Sequence, residues 1–192
     1  MYQKRNNELE IISLYRGNYK KQHYLRQISK LTKIPLKTTQ NTLNYLEKNK
    51  VLKSKTEGKN KYFLPNLDNI QTKSYLLQAE IHATDKFLEK YPQFKTFLKS
   101  INNNVLIILF GSFAKLSANK DSDIDLLVIS EKEVSLPFHL LPHKAHQINL
   151  SESSFIKAIK EQETLIKEIE ENHIILNNPS SYVNILWEYN GK

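Results

Sequence analysis

Two acids one residue apart, Asp123-Ile124-Asp125, head an apolar run that reads as a strand over residues 122–130. Side chains alternate along a strand, so both carboxylates project from one face, roughly 7 Å apart, while Ile124 and Leu126 enter the core. Carboxylates so placed can converge on one or two hard cations. Without a cation their repulsion raises the pKa of at least one. Gly111-Ser112 lies upstream, between the apolar run 105–110, read as a buried strand, and the short helical stretch Phe113-Ala114-Lys115-Leu116. A glycine there lets the backbone approach an anion closely. The Ser112 hydroxyl and the following helix N-terminus then supply donors aimed at phosphate. A plain strand-to-helix turn accounts for the glycine but not for the paired acids on the next strand.

Phe110-Gly111-Ser112, ten intervening residues and Asp123-Ile124-Asp125-Leu126 together resemble the signature of the polymerase-beta-like nucleotidyltransferases. The fuller string, Gly111 to Lys115 and Ser122 to Val128, is most similar to the minimal prokaryotic members. The resemblance implies transfer of a nucleoside monophosphate from Mg-NTP to an acceptor hydroxyl, with release of pyrophosphate. By position, Gly111 and Ser112 hold the triphosphate, and Asp123 and Asp125 are the catalytic pair that binds Mg²⁺ or Mn²⁺. Lys115 stands where the family often has Arg, and is either a phosphate contact or a plain surface lysine.

Active members usually add a third carboxylate from a neighbouring strand. The next strand expected here is about 144–150. With Ile148 and Leu150 facing the core, Gln147 and Asn149 occupy the active face, and neither is charged. Glu131, Glu133 and Glu152 lie at strand ends or beyond. Either two metal ligands suffice, or the domain keeps nucleotide binding with little catalysis. Beyond this strand a helix is expected from Ser151 to about Glu171, with Phe155, Ile159, Ile166 and Ile169 as its apolar positions. A short strand over 173–176 and a last helix from Pro179 complete a small domain.

The first third of the chain differs in charge. Residues 1–65 hold 15 Lys+Arg against 4 Asp+Glu, whereas residues 66–192 hold 13 against 16. A basic segment joined to a mildly acidic one suits a chain of which only one part meets a polyanion, although a solvated lysine-rich surface has the same composition. Three helices are expected in close succession, at about 7–15, 23–31 and 36–49. Leu25, Ile28 and Leu31 line the second; Leu36, Leu43 and Leu46 line the third. Lys37, Asn41, Asn44 and Lys48 form one stripe on the third helix, flanked by Gln40. Asn and Gln side chains can bond adenine edges, and Lys can reach guanine or phosphate. Two short strands follow around Glu57-Gly58-Lys59-Asn60, and Lys53, Lys55, Lys59 and Lys61 make this hairpin basic. The arrangement resembles winged helix-turn-helix regulators and implies contact with double-stranded DNA; winged helices that bind only protein are the alternative.

The organisation expected is thus α+β. A winged helix-turn-helix spans 1–65 and a linking helical segment 66–101. A nucleotidyltransferase-like mixed sheet flanked by helices occupies 102–192. Ile70, Leu77, Ile81 and Leu88 stripe the linking helix, which either packs on the second domain or pairs with its twin in a homodimer. No apolar run is long enough for a membrane span, and the N-terminal stretch lacks the apolar core of a signal peptide. The absence of cysteine excludes disulfides and thiolate metal sites, so a cytoplasmic protein is expected. The functions that follow are a DNA-tethered nucleotidyltransferase using an NTP, a transcription regulator with a catalytically weak nucleotidyltransferase domain, or an antitoxin-like partner of a small helical toxin.

Overall fold

The computed structural model of the protein describes residues 2–101 and 104–191. Met1, Lys192 and the Asn102-Asn103 pair, where the helical segment is expected to end, lie outside the described residues. The chain forms two compact units, residues 1–79 with 186–192, and residues 80–185. Among the described residues no helix is long and apolar enough to cross a membrane.

In the first unit, α1 (Tyr2–Ile12) runs into a 3₁₀ turn and is followed by β1 (His23–Tyr24), α2 (Leu25–Thr32), α3 (Leu36–Lys48), β2 (Leu52–Glu57) and β3 (Asn60–Pro65). The strands form an antiparallel sheet in the order β1-β3-β2. Ile11, Ile12, Tyr15, Ile28, Leu43, Leu46 and Phe63 are buried in this unit. The Tyr15 hydroxyl donates to the Phe63 carbonyl at 3.0 Å. The α2–α3 turn passes through Lys33 at φ +59° and converges on one acceptor. Ser29 Oγ and Thr39 Oγ1 both donate to the Ile34 carbonyl, at 2.7 and 3.1 Å.

Two sequence expectations fail here. Leu31 and Leu36 were assigned to the core faces of their helices, yet they are 51% and 46% exposed. Each sits at the turn end of its helix, where Ile28 and Ile34 already fill the buried space. The hairpin is clamped to α3 by Glu47, which accepts from Ser54 Oγ and pairs with Lys61 Nζ at 2.7 Å. Burial works against the charged Glu47 carboxylate, but these two partners win and hold it below the usual range.

Helix α4 (Ile70–Lys90) and α5 (Phe94–Lys99) follow. The stripe expected on α4 is not its buried face. Ile70 and Ile81 are 69% and 45% exposed, whereas Leu76, Ala79 and Phe87 are buried.

The second unit continues with β4 (Leu106–Phe110), α6 (Gly111–Ala114), β5 (Ile124–Ile129), β6 (Ala145–Leu150), α7 (Glu152–Glu161), α8 (Thr164–Glu171), β7 (Ile174–Asn177) and α9 (Pro179–Asn190), whose last turn belongs to the first unit. Its mixed sheet has the order β6-β5-β4-β7, with β5 and β6 parallel and the other neighbours antiparallel. Every residue of β4 is buried, as a central strand covered on both faces requires. On one face Ile107, Leu109, Ile124, Leu126 and Val128 pack with Phe87, Tyr91, Phe94, Phe97 and Phe113. The single helix expected from Ser151 to Glu171 is broken at Gln162, which turns left-handed at φ +53°. Ser151 caps α7, accepting from the Ser154 N–H at 3.1 Å.

One polar pair is locked inside this unit. His173 and Glu80 are both buried. His173 Nδ1 donates to the Ile169 carbonyl at 2.7 Å, and Nε2 lies 3.2 Å from both Glu80 oxygens. Removing Glu80 takes away the buried acceptor facing His173 Nε2, and a buried hydrogen bond left unmade typically costs about 1–3 kcal/mol. Glu80→Ala is therefore expected to lower the urea midpoint markedly, while the double variant Glu80→Leu/His173→Phe recovers much of the loss. Equal midpoints for wild type and Glu80→Ala would show that the pair carries no weight.

Candidate functional site

The antiparallel β4–β5 ladder places Phe110 opposite Asp125. The next residue, Gly111, turns the chain out of β4 at φ +69°, a left-handed conformation that costs a residue with a Cβ about 1–2 kcal/mol. A Cβ at this position would also collide with Oδ2 of Asp125. The backbone angle thus favours glycine, and any side chain here would push the Asp125 carboxylate from its place over the α-carbon. Ser112 follows in the first turn of α6, its carbonyl accepting from the Ser117 N–H at 3.0 Å.

Asp123 lies just ahead of the first β5 residue, and Asp125 is the second residue within it. The Asp125 carboxyl is held above its usual range, chiefly by burial. The neighbouring His146 opposes the shift, while Glu168 and Asp123 add to it. Asp123 is half-exposed, and its Oδ2 lies 3.2 Å from His146 Nε2.

The parallel register pairs Asp125 with His146 and Leu127 with Ile148. This reverses the sequence assignment of β6. His146 and Ile148 lie on the acid face, and Ile148 is exposed, whereas Gln147 turns the other way and donates to the Val134 carbonyl at 3.0 Å. The strand is an edge, so its apolar residues do not dictate which face is buried. The bond from the Ile124 N–H to the Lys144 carbonyl, 2.8 Å, sets the register instead.

Lys115 sits at the C-terminal end of α6 and pairs with Glu168 of α8 at 3.0 Å. Gly111, Asp123, Asp125, Lys115, His146 and Glu168 therefore share one neighbourhood. Sequence reasoning missed the last two. The parity of β6 was the available signal for His146. Glu168 had none, being one of several acids on an amphipathic helix.

As a donor set, Asp123 and Asp125 offer the hard carboxylate oxygens that suit Mg²⁺ or Mn²⁺. The cost of a partly buried charge at Asp125, with Glu168 and Asp123 adding to it, is what a cation would relieve. Among the described residues no group of three His, Asp or Glu stands in metal-holding geometry.

The second set of candidates lies in the first unit. Lys37, Asn41, Asn44 and Lys48 are exposed on α3, and Gln40 is half-buried beside them. Gln40 Nε2 donates to Asn44 Oδ1 at 2.9 Å. On the hairpin, Lys53 pairs with Asp68 at 3.6 Å, Lys55 with Glu57 at 2.7 Å, and Lys61 with Glu47. Lys59, beside the tip glycine, has no ion pair among the described residues.

Comparison with known families bears on the acid site. Residues 92–177 match the family model of the nucleotidyltransferase domain. The stretch takes in the acid-bearing site from Gly111 to Glu168, and the mixed sheet with its helices fits a nucleotidyltransferase-like domain. The match supports nucleotidyl transfer in general, with an NTP as substrate. The comparison with curated proteins and that with solved structures returned no match.

Gly111→Ala is expected to lose stability and most nucleotide binding, because the strain and the collision add. Asp125→Asn should behave oppositely in metal-free buffer. An acid whose folded pKa is raised lends stability at low pH that is lost as pH rises through its titration. As pH rises across and just above the ordinary carboxylate range, the wild-type melting temperature should therefore fall relative to that of Asp125→Asn. A wild-type curve identical to that of Asp125→Asn over this range would refute the assignment.

Proposed function

We propose that the protein is a DNA-binding, metal-dependent nucleotidyltransferase that moves a nucleoside monophosphate from an NTP to an acceptor hydroxyl. The observation that carries the transferase part is the Asp125 carboxylate seated over Gly111 with Asp123 two residues away. In this reading the acceptor oxygen bonds to the α-phosphorus and pyrophosphate leaves. Asp123 and Asp125 would hold a divalent cation, whose chemistry there would be charge neutralisation on the triphosphate and a lowered pKa of the acceptor hydroxyl.

The chain's own residues do the rest. Gly111 keeps the turn open to the phosphates, and Ser112 donates its hydroxyl to them. Lys115 is half-exposed, so its pair with Glu168 is weak and exchangeable, and it can turn to a phosphate oxygen as a point charge.

Residues 1–65 form the DNA-binding part in this reading, a winged helix-turn-helix. Residues 66–101 are the linking segment and 102–192 the nucleotidyltransferase part. The order helix–strand–helix–helix–hairpin supports it, as does the basic exposed face of α3 with Lys37, Gln40, Asn41, Asn44 and Lys48. The hairpin lysines Lys53, Lys55, Lys59 and Lys61 serve as phosphate contacts. Three of them must first leave acidic partners, a small cost because exposed pairs contribute about 0–1 kcal/mol. The exposed Ile81 of α4 is apolar surface at which a second copy would pair in a homodimer.

A second reading is a transcription regulator or antitoxin-like protein whose nucleotidyltransferase domain is catalytically weak. It is favoured by His146 standing beside the acid pair on β6, where an added carboxylate would serve catalysis.

Label transfer from α-labelled NTP, with Mg²⁺ or Mn²⁺ and candidate acceptors, separates the two. Wild type is expected to transfer label at least 100-fold faster than Asp123→Ala/Asp125→Ala, since that pair neutralises the reacting phosphate. Nucleotide binding without transfer above the double variant would select the regulator. Duplex binding is a separate expectation. Lys37→Glu/Lys48→Glu should abolish it, and wild-type affinity should fall steeply with salt.

A further inference from the structure

Four residues on α3 lie one turn apart along a single row, Leu36, Gln40, Asn44 and Lys48. Three of the four are exposed and Gln40 is half-buried beside them. Leu36 stands at the first turn of α3 with 46% exposure. Nothing in the unit's core claims it. Leu31, 51% exposed, lies at the end of α2 across the short turn. Next along the row, the Gln40–Asn44 bond of 2.9 Å consumes one amide donor and one amide acceptor. That bond leaves unused the Gln40 carbonyl oxygen and the Asn44 amide hydrogens, an acceptor and donors on neighbouring turns. Lys48 ends the row and Lys37 lies beside its start, and neither has an ion pair among the described residues.

An acceptor–donor couple matches the major-groove edge of adenine, whose N6 amine donates and whose N7 accepts. An exposed leucine has no polar edge to satisfy, and the apolar group that the major groove offers is the thymine methyl. Steps of four residues advance about 6 Å along the helix axis, close to two base steps of about 3.4 Å. The row is therefore long enough to address successive base pairs, with lysines at either side for the backbone.

We propose that α3 reads A·T base pairs in the major groove, with the Gln40–Asn44 couple on adenine and Leu36 on a thymine methyl. The inference rests on the DNA-binding reading above and adds its base preference. Charge complementarity argues for a polyanion as the occupant. A protein partner for Leu31 and Leu36 would leave Lys37, Lys48 and the amide couple without a role.

The test uses the full chain and duplexes of equal length in fluorescence anisotropy at two salt concentrations. An A·T-rich duplex is expected to bind about tenfold more tightly than a G·C-rich one. Replacing thymine by uracil removes only the methyl groups, and should weaken wild-type binding about threefold to fivefold. Leu36→Ala should lose that sensitivity while keeping its salt dependence. Gln40→Ala/Asn44→Ala should bring the two duplexes to equal affinity, and Lys37→Ala should weaken both alike. Equal wild-type affinity for the two duplexes, with a normal salt slope, would overturn the base preference and leave DNA binding standing. No binding to either duplex would overturn both.

Discussion

Phe110 and Asp125 face each other across the β4–β5 ladder, and that pairing seats a carboxylate over the α-carbon of Gly111. Much of the second unit follows from it. The chain leaving β4 must turn left-handed, so residue 111 has no side chain. Ile124 and Leu126 on either side are fixed in the core, which holds the Asp125 backbone in register and its side chain on the opposite face. Asp125 therefore stays partly desolvated beside two other acids, a state poor for stability and suited to an incoming positive charge.

The surrounding groups divide into those that offset this charge and those that add to it. His146 comes from the parallel neighbour strand and lies against Asp123. Glu168 approaches from α8 and occupies Lys115. An imidazole, rather than another carboxylate, is thus the β6 contribution nearest the acid pair. The site is consequently less negative than three strand-borne acids would make it, and its demand for cations is correspondingly smaller.

Legibility in the sequence followed burial. The runs Leu106–Phe110 and Ile124–Ile129 were readable because continuous apolar residues bounded by turns have few other fates. Gly111-Ser112 and Asp123/Asp125 were readable because their spacing is specific and local. Where burial is weak, reading failed. Strand β6 is an edge, so Ile148 did not indicate its face. Leu31 and Leu36 looked like core residues by spacing alone, although Ile28 and Ile34 had already taken the interior. The break at Gln162 was invisible because the left-handed position carries glutamine rather than the glycine or asparagine that usually marks a helix end. Glu168 lies 43 residues beyond Asp125, and only the folded chain makes them neighbours.

The buried Glu80–His173 pair has a reach beyond its own surroundings. His173 bonds the carbonyl of Ile169, the residue directly after Glu168, so the last turn of α8 is tied down from within. Glu168 rides on that same turn, beside Lys115 and Asp125. An interior histidine thus helps fix the position of an acid on the rim of the site, so the interior and the rim are mechanically one piece.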